Sequence, residues 1–267
     1  MRLCNIVPVS FLDDVLDSDE RTHLVIADRI VEDETYLDFY QDRKDRGDFI
    51  ILDSSAFETG AANTDMLMEA WHYLQPNEVV LPDLFNAPNK STEWTKAQLL
   101  RMRELGLPPN ARLMAVPHGN TLEAYMESAR TLASLTGVKT IGIQEEVQEL
   151  FGQPRSRIVK LCQRLPVTIH LLGFQEDLED LKDEWNQRNV RSADSAKLVV
   201  WGLNGMAVPV DGRIPEYPGR KSVGGGLEYL SYDIPEKVEG VDPPKVSRDD
   251  AVSRILSNIK TWRKVVQ

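Results

Sequence analysis

Apolar runs recur roughly every 20 to 35 residues along the chain, and several stop on a polar side chain. Phe49-Ile50-Ile51-Leu52 ends on Asp53, and Val79-Val80-Leu81-Pro82 on Asp83. Leu113-Met114-Ala115-Val116-Pro117 ends on His118, and Val190-Arg191-Ser192-Ala193 on Asp194. A short run of this kind, bounded by turn residues, reads as a strand covered on both faces. The pattern predicts strands over Arg2–Pro8, His23–Asp28, Phe49–Asp53, Glu78–Asp83, Arg112–His118, Thr140–Ile143, Val167–Gly173 and Val190–Asp194. Between them, apolar residues at three-to-four spacing predict helices over Thr64–Leu74, Ser91–Leu105, Thr121–Leu135, Ser156–Leu165 and Leu178–Gln187.

Strand–helix alternation gives a parallel sheet, and eight repeats permit closure into a (β/α)8 TIM-type barrel. An open doubly wound sheet is the alternative, but its glycine-rich fingerprint after the first strand is missing. The 267 residues suit one barrel of about 250 residues, so we expect a single α/β domain over 1–267. From Gly202 to Val246 no period persists, and Gly and Pro abound, including Gly224-Gly225-Gly226. This predicts a long loop (202–246) after the eighth strand, placed to fold over the barrel mouth. Ser247-Arg248-Asp249-Asp250 then caps a closing helix over 247–265.

Charge and cysteine content narrow the chemistry. Only Cys4 and Cys162 occur, which excludes a disulfide framework and a multi-cysteine metal site. No run reaches the roughly 18 apolar residues of a membrane span, and no apolar leader opens the chain. A cytoplasmic location and no membrane partner follow as expectations. The net charge of −11 weighs against a polyanionic partner, yet binding depends on the local field. Three basic clusters exist: Arg155, Arg157, Lys160 and Arg164; Arg188, Arg191 and Lys197; Arg213, Arg220 and Lys221. The first reads as a solvated helix face. The third lies in the glycine-rich loop beside the expected site.

In a parallel barrel, catalytic groups stand at the carboxyl ends of the strands. Asp53, followed by Ser54-Ser55-Ala56, leaves room for a ligand; capping the next helix is the plain alternative. Asp194 lies between Arg191 and Lys197, which are close enough in sequence to hold it ionised. Asp83 and His118 either begin loops or line a site. His23, His72 and His170 lack metal-ligand spacing and are expected to be structural. Two acids converging on one mouth suit attack on a carbon that becomes cation-like, as at an anomeric centre. They do not by themselves separate a sugar–sugar from a sugar–base bond.

Taken in order, these motifs resemble the tRNA-guanine transglycosylase superfamily, over roughly Leu24 to Gly205. The chain is most similar to the shorter DNA-directed relatives from phages and bacteria that place 7-deazaguanines in DNA. Asp53-Ser54-Ser55-Ala56-Phe57-Glu58 resembles the family's Asp-Ser-Gly-Gly-Phe-Gln, whose Asp is a proton-transfer acid/base. Asp83 stands in the place of the Asp that reads the guanine edge. Val116-Pro117-His118-Gly119 stands where the family has Val-Gln-Gly, and Ile141-Gly142-Ile143 at its glycine strand. His170-Leu171-Leu172-Gly173 is similar to Tyr-Leu-Met-Gly, and Asp194 matches the nucleophile. The tRNA enzymes carry a zinc site of three cysteines and one histidine that this chain lacks.

The resemblance implies exchange of guanine in a polynucleotide, DNA ahead of tRNA, for a 7-deazaguanine. Asp194 and Asp53 would be catalytic. Asp83, His118, Gly142 and Phe57 would hold the base, and Lys197, Arg213, Arg220 and Lys221 would contact phosphates. No metal and no organic cofactor are implied; a protein partner is left open. Hydrolysis by the same acids, a non-catalytic nucleic-acid-binding subunit and a sugar-active hydrolase remain as alternatives.

Overall fold

Eight parallel strands form one sheet in the order β1-β8-β7-β6-β5-β4-β3-β2. The structure is a computed structural model that describes residues 2–16, 20–56, 62–84, 86–173, 182–184, 186–208 and 247–266. The strands are β1 (Arg2–Asn5), β2 (Thr22–Ile26), β3 (Phe49–Asp53), β4 (Glu78–Val80), β5 (Leu113–Ala115), β6 (Val138–Gln144), β7 (Thr168–Leu172) and β8 (Val190–Ser195). The helices are α1 (Leu12–Val15), α2 (Ala27–Glu32), α3 (Glu34–Asp45), α4 (Thr64–Leu74), α5 (Pro88–Glu104), α6 (Leu122–Ala133), α7 (Val147–Phe151), α8 (Arg155–Cys162), α9 (Lys197–Leu203) and α10 (Arg248–Val266). The result is a nearly closed (β/α)8 barrel. Its seam lies between β1 and β2, where side chains meet: Arg2 Nη1 lies 3.4 Å from Thr22 Oγ1, and Asn5 Nδ2 donates to Glu20 Oε1 at 2.7 Å.

Strand alternation divides the apolar residues into two cores. Val25, Ile50, Leu52, Val79, Leu113 and Ile141 pack outward under the helices. Cys4, Leu24, Ile26, Ile51, Val80, Met114 and Val116 form a smaller cluster inside the barrel. Below it lies a polar floor. The Glu78 carboxylate accepts from Arg112 Nε at 2.8 Å, Thr140 Oγ1 at 2.7 Å and Arg191 Nη2 at 2.6 Å. Arg191 reaches the floor through a bulge. Ile169 of β7 pairs with Val190 but His170 with Ser192, so Arg191 is the extra residue on β8.

Strands β1, β2, β4, β5 and β7 run shorter than expected, β3 matches, and β6 and β8 run longer. Pro82 and Pro117 have no N–H to donate to a ladder, so β4 and β5 stop before them. Ala27 and Asp28 begin α2 instead of ending β2. Helices α1, α2, α3, α7 and α9 are additional to the sequence reading. Gly202, expected to open the loop, lies within α9. A Cβ there would come 2.4 Å from Ile255 Cγ1, so glycine permits the close contact of α9 with α10. The cap of α10 forms as expected: Ser247 Oγ accepts from Asp250 N at 3.2 Å. Of the long loop, 209–246 lies outside the described residues, as does half of the helix expected at Leu178–Gln187. None of the helices among the described residues is long and apolar enough to cross a membrane.

A second buried cluster fixes the chain before β3. Asp48 accepts from Arg21 at 3.1 Å and lies 3.0 Å from His23 Nε2. Burial pushes the His23 imidazole below its ordinary value, and the Asp48 hydrogen bond only partly opposes this. The unfolded chain therefore binds a proton that the folded chain refuses, and stability rises with pH through the ordinary histidine range. We expect the urea midpoint to fall from pH 7 to pH 5.5, and His23→Gln to flatten that fall. A midpoint with equal pH dependence in both chains would assign the effect to other groups.

Candidate active site

The carboxyl ends of the strands carry a ring of polar side chains. At the end of β8, Asp194 pairs in register with Cys4 of β1. Its Oδ1 lies 2.9 Å from His170 Nε2, and His170 Nδ1 lies 2.7 Å from Ser192 Oγ. The expected neighbours of Asp194 go elsewhere. The bulge turns Arg191 down to Glu78, and Lys197 Nζ pairs with Glu145 Oε1 at 2.7 Å. Burial pushes the Glu145 carboxyl up, and the Lys197 charge opposes it. His170, expected to be merely structural, is the side chain that holds Asp194.

At the end of β3, the Ser55 N–H donates to Asp53 Oδ2 at 3.1 Å. Ser55 has φ of 59°, in the left-handed region that favours glycine. Strained backbone of this kind clusters at functional sites. Asp28, in the first turn of α2, lies beside the same serine. Burial pushes its carboxyl up, and the Ser55 side chain partly offsets the shift. In the sequence Asp28 ends an apolar run and carries no sign of this contact.

Between these lies a third pair. Asp83 Oδ2 is 2.5 Å from His118 Nε2, and both side chains are nearly buried. The loop carrying Asp83 is fixed by Leu84 N to Ser91 Oγ at 3.0 Å and Thr95 Oγ1 to Pro82 O at 2.8 Å. After His118 the chain turns tightly against α6: a Cβ on Gly119 would lie 2.4 Å from Tyr125 N. Gln144 Nε2 donates to Pro117 O at 3.1 Å and lies 3.3 Å from His118 Nε2. A cleft of about 450 Å³ opens here, lined by Pro117, His118, Gly119, Tyr125, Gln144 and Glu146 among others.

The structure thus puts Asp53, Asp83, His118 and Asp194 on one face of the barrel. Gly142 faces the interior, where a Cβ would meet Leu172 Cδ1 at 2.8 Å and Met114 Sδ at 3.3 Å. In this state those two side chains fill the space above it. Arg155, read as part of a solvated basic face, is buried. Its guanidinium grips Glu184 at 2.8 Å and donates to the carbonyls of Leu172 and Gly173. Phe57, Arg213, Arg220 and Lys221 lie outside the described residues. Among the described residues, no group of three or more His, Cys, Asp or Glu side chains is arranged to hold a metal.

No protein-family model matches the chain, and no curated protein matches it. Solved structures do. One is a protein from Aquifex aeolicus VF5, 10% identical, with a TM-score of 0.47 over 75% of this chain and 84% of that one. A second is N-succinyl Arg/Lys racemase from Bacillus cereus, 10% identical, TM-score 0.45, over 73% and 51%. A third is the tryptophan synthase complex from Pyrococcus furiosus, 10% identical, TM-score 0.45, over 74% and 89%. At such scores these likenesses say nothing of chemistry, and the fold rests on the strand order itself.

Proposed function

We propose that this chain exchanges guanine in a polynucleotide, DNA ahead of tRNA, for a 7-deazaguanine through a glycosyl-aspartate on Asp194. The observation that carries the reading is the placement of four polar residues. Asp53, Asp83, His118 and Asp194 stand at or just beyond the carboxyl ends of β3, β4, β5 and β8 of one barrel. Ser55 lends support: where the resembled motif has glycine, this chain keeps a φ of 59°.

In the proposed reaction an Asp194 oxygen attacks C1′ and the bond to guanine N9 breaks. Asp53 gives the departing base its proton. The 7-deazaguanine then attacks C1′ through N9, returns a proton to Asp53 and releases Asp194. The target nucleotide must leave the base stack to reach this mouth. Asp83 accepts from the purine N–H groups, and His118 faces O6; the bond between them must open or be shared as the base docks. Lys197, Arg213, Arg220 and Lys221 are assigned to phosphates, Lys197 by exchanging its Glu145 partner. We place the activity in the cytoplasm.

The test is incubation with a labelled 7-deazaguanine and either duplex DNA or tRNA. Label retained in acid-precipitated DNA supports the reading. Guanine release without incorporation means hydrolysis, and no release from either polynucleotide overturns the proposal. Within it, Asp83→Asn offers the purine edge a mismatched donor, and base affinity should fall by roughly 1–3 kcal/mol. Polynucleotide affinity should hold. Calorimetry showing unchanged base binding would remove Asp83 from the pocket.

A further inference from the structure

A line of hydrogen bonds runs up the inside of β7 and β8 from the barrel floor to Asp194. At its foot, Arg191 Nη2 lies 2.6 Å from Glu78 Oε2. The Arg191 Nε–H donates to Ser192 Oγ at 3.1 Å. Ser192 Oγ lies 2.7 Å from His170 Nδ1, and His170 Nε2 lies 2.9 Å from Asp194 Oδ1. His170 and Ser192 are both 0% exposed, so their polar atoms must be satisfied within this line.

The chemistry of the donors sets the direction of every bond. A guanidinium only donates, so Ser192 Oγ accepts from Arg191. The serine hydrogen then needs an acceptor of its own, and His170 Nδ1 stands in that place. A nitrogen that accepts carries no proton. The neutral imidazole therefore holds its proton on Nε2 and donates it to Asp194, whose carboxylate only accepts. The opposite tautomer strands the serine hydrogen and sets the Nε2 lone pair against a carboxylate oxygen.

We infer that His170 and Ser192 are positioning residues for Asp194, an inference that rests on Asp194 as the nucleophile. Ser192 fixes the tautomer, and the imidazole grips Oδ1 so that Oδ2 is turned to the substrate. A serine, a histidine and an aspartate in a row also describe a hydrolase triad. Here the order relative to the mouth is reversed. Ser192 is fully buried at the deep end, whereas the Asp194 side chain is 10% exposed at the rim. The carboxylate, not the hydroxyl, is the end that meets substrate. Arg191 thus acts on Asp194 through two intermediaries, each bond polarising the next.

Two measurements test this. Imidazole nitrogen shifts of the whole chain, with its four histidines labelled, report the tautomer of His170 directly, using His170→Gln for assignment. We expect a proton on Nε2 and none on Nδ1. A proton on Nδ1, alone or in addition, overturns the inference whether or not the protein exchanges bases. The second is exchange kinetics. Gln retains an N–H near the Nε2 position, whereas Asn is too short to reach Asp194. His170→Asn should lose about 100-fold in kcat, the scale of a misplaced reacting group. Ser192→Ala should fall between, and His170→Gln should recover most of the rate. KM for the incoming base should stay constant in all three, because the Asp83 pocket is untouched. Equal losses in the Asn and Gln variants, or a change confined to KM, reduce His170 to a packing residue. A wild-type chain with no exchange would sink the transglycosylase reading, and the nitrogen shifts would still decide the tautomer.

Discussion

Asp194→Asn should abolish base exchange and leave the barrel folded. The substitution keeps size and shape, and the amide oxygen still accepts from His170 Nε2 across the 2.9 Å gap. It removes the anionic oxygen that would attack C1′. Loss of a nucleophile costs on the order of 10⁴-fold or more in turnover. The fold should be spared: the residue is the last but one of β8, and its neighbour Ala193, not Asp194, packs under the helices. Two readouts separate this from a general defect. Wild type incubated with DNA and no incoming base should give a protein–DNA adduct that survives denaturing electrophoresis, and the variant should give none. Its urea midpoint should match wild type. Turnover near the wild-type rate would end the assignment of Asp194 and the proposed chemistry with it.

How much of this was legible in the sequence depends on where each residue sits relative to an apolar run. Asp53, Asp83, His118 and Asp194 each terminate one, and a parallel barrel turns such termini into a mouth. His170 lies inside the run Val167-Thr168-Ile169-His170-Leu171-Leu172 and read as core. A signal was present: Ser192 and Asp194 are two apart on one strand and so share a face, a polar pair in need of a partner. Arg191 could not be read. Its link to Asp194 depends on a bulge, and an extra residue in a strand leaves no mark on composition or period.

The fold divides in the same way. β3 at Phe49–Asp53 and α4 at Thr64–Leu74 match the sequence reading end to end, since polar residues flank both, Asp48 and Ser54 for β3 and Asn63 and Gln75 for α4. Helix α3 (Glu34–Asp45) was missed because it buries Tyr36, Tyr40 and Arg43, aromatic and charged groups that break an aliphatic count. Helix α9 was hidden by Gly202, which reads as a loop residue and proves to be a contact point. Arg155 read as a surface charge because its partner Glu184 lies 29 residues away in sequence.

Glu78→Gln should damage the fold more than Asp194→Asn, Asp83→Asn or a change at His170. Glu78 is 0% exposed, yet its carboxyl is held below the ordinary glutamate range. Burial pushes it up; the Arg191 bond and charge, the Thr140 hydroxyl and the Arg112 charge together outweigh burial. The amide cannot neutralise either guanidinium. Breaking a buried ion pair from one side costs about 3–5 kcal/mol, because the surviving charge loses its partner. That is a large share of the roughly 5–15 kcal/mol that holds a domain together. The sign in acid follows from the lowered carboxyl. Its contribution is present above the unfolded value near 4.5 and is lost as pH falls through the lowered folded value. Wild type should therefore lose stability below about pH 4.5, and Glu78→Gln should already be weak at pH 7 with a flatter response to acid. The effect should also reach the mouth, since Arg191 carries the bond to Ser192. Residual exchange in folded Glu78→Gln should show a lower kcat at unchanged KM. The Phe49 ring also lies against this floor, 5.9 Å from the Arg112 guanidinium and 5.2 Å from that of Arg191; an unaltered urea midpoint at pH 7 would mean that such packing, not the charges, holds the floor.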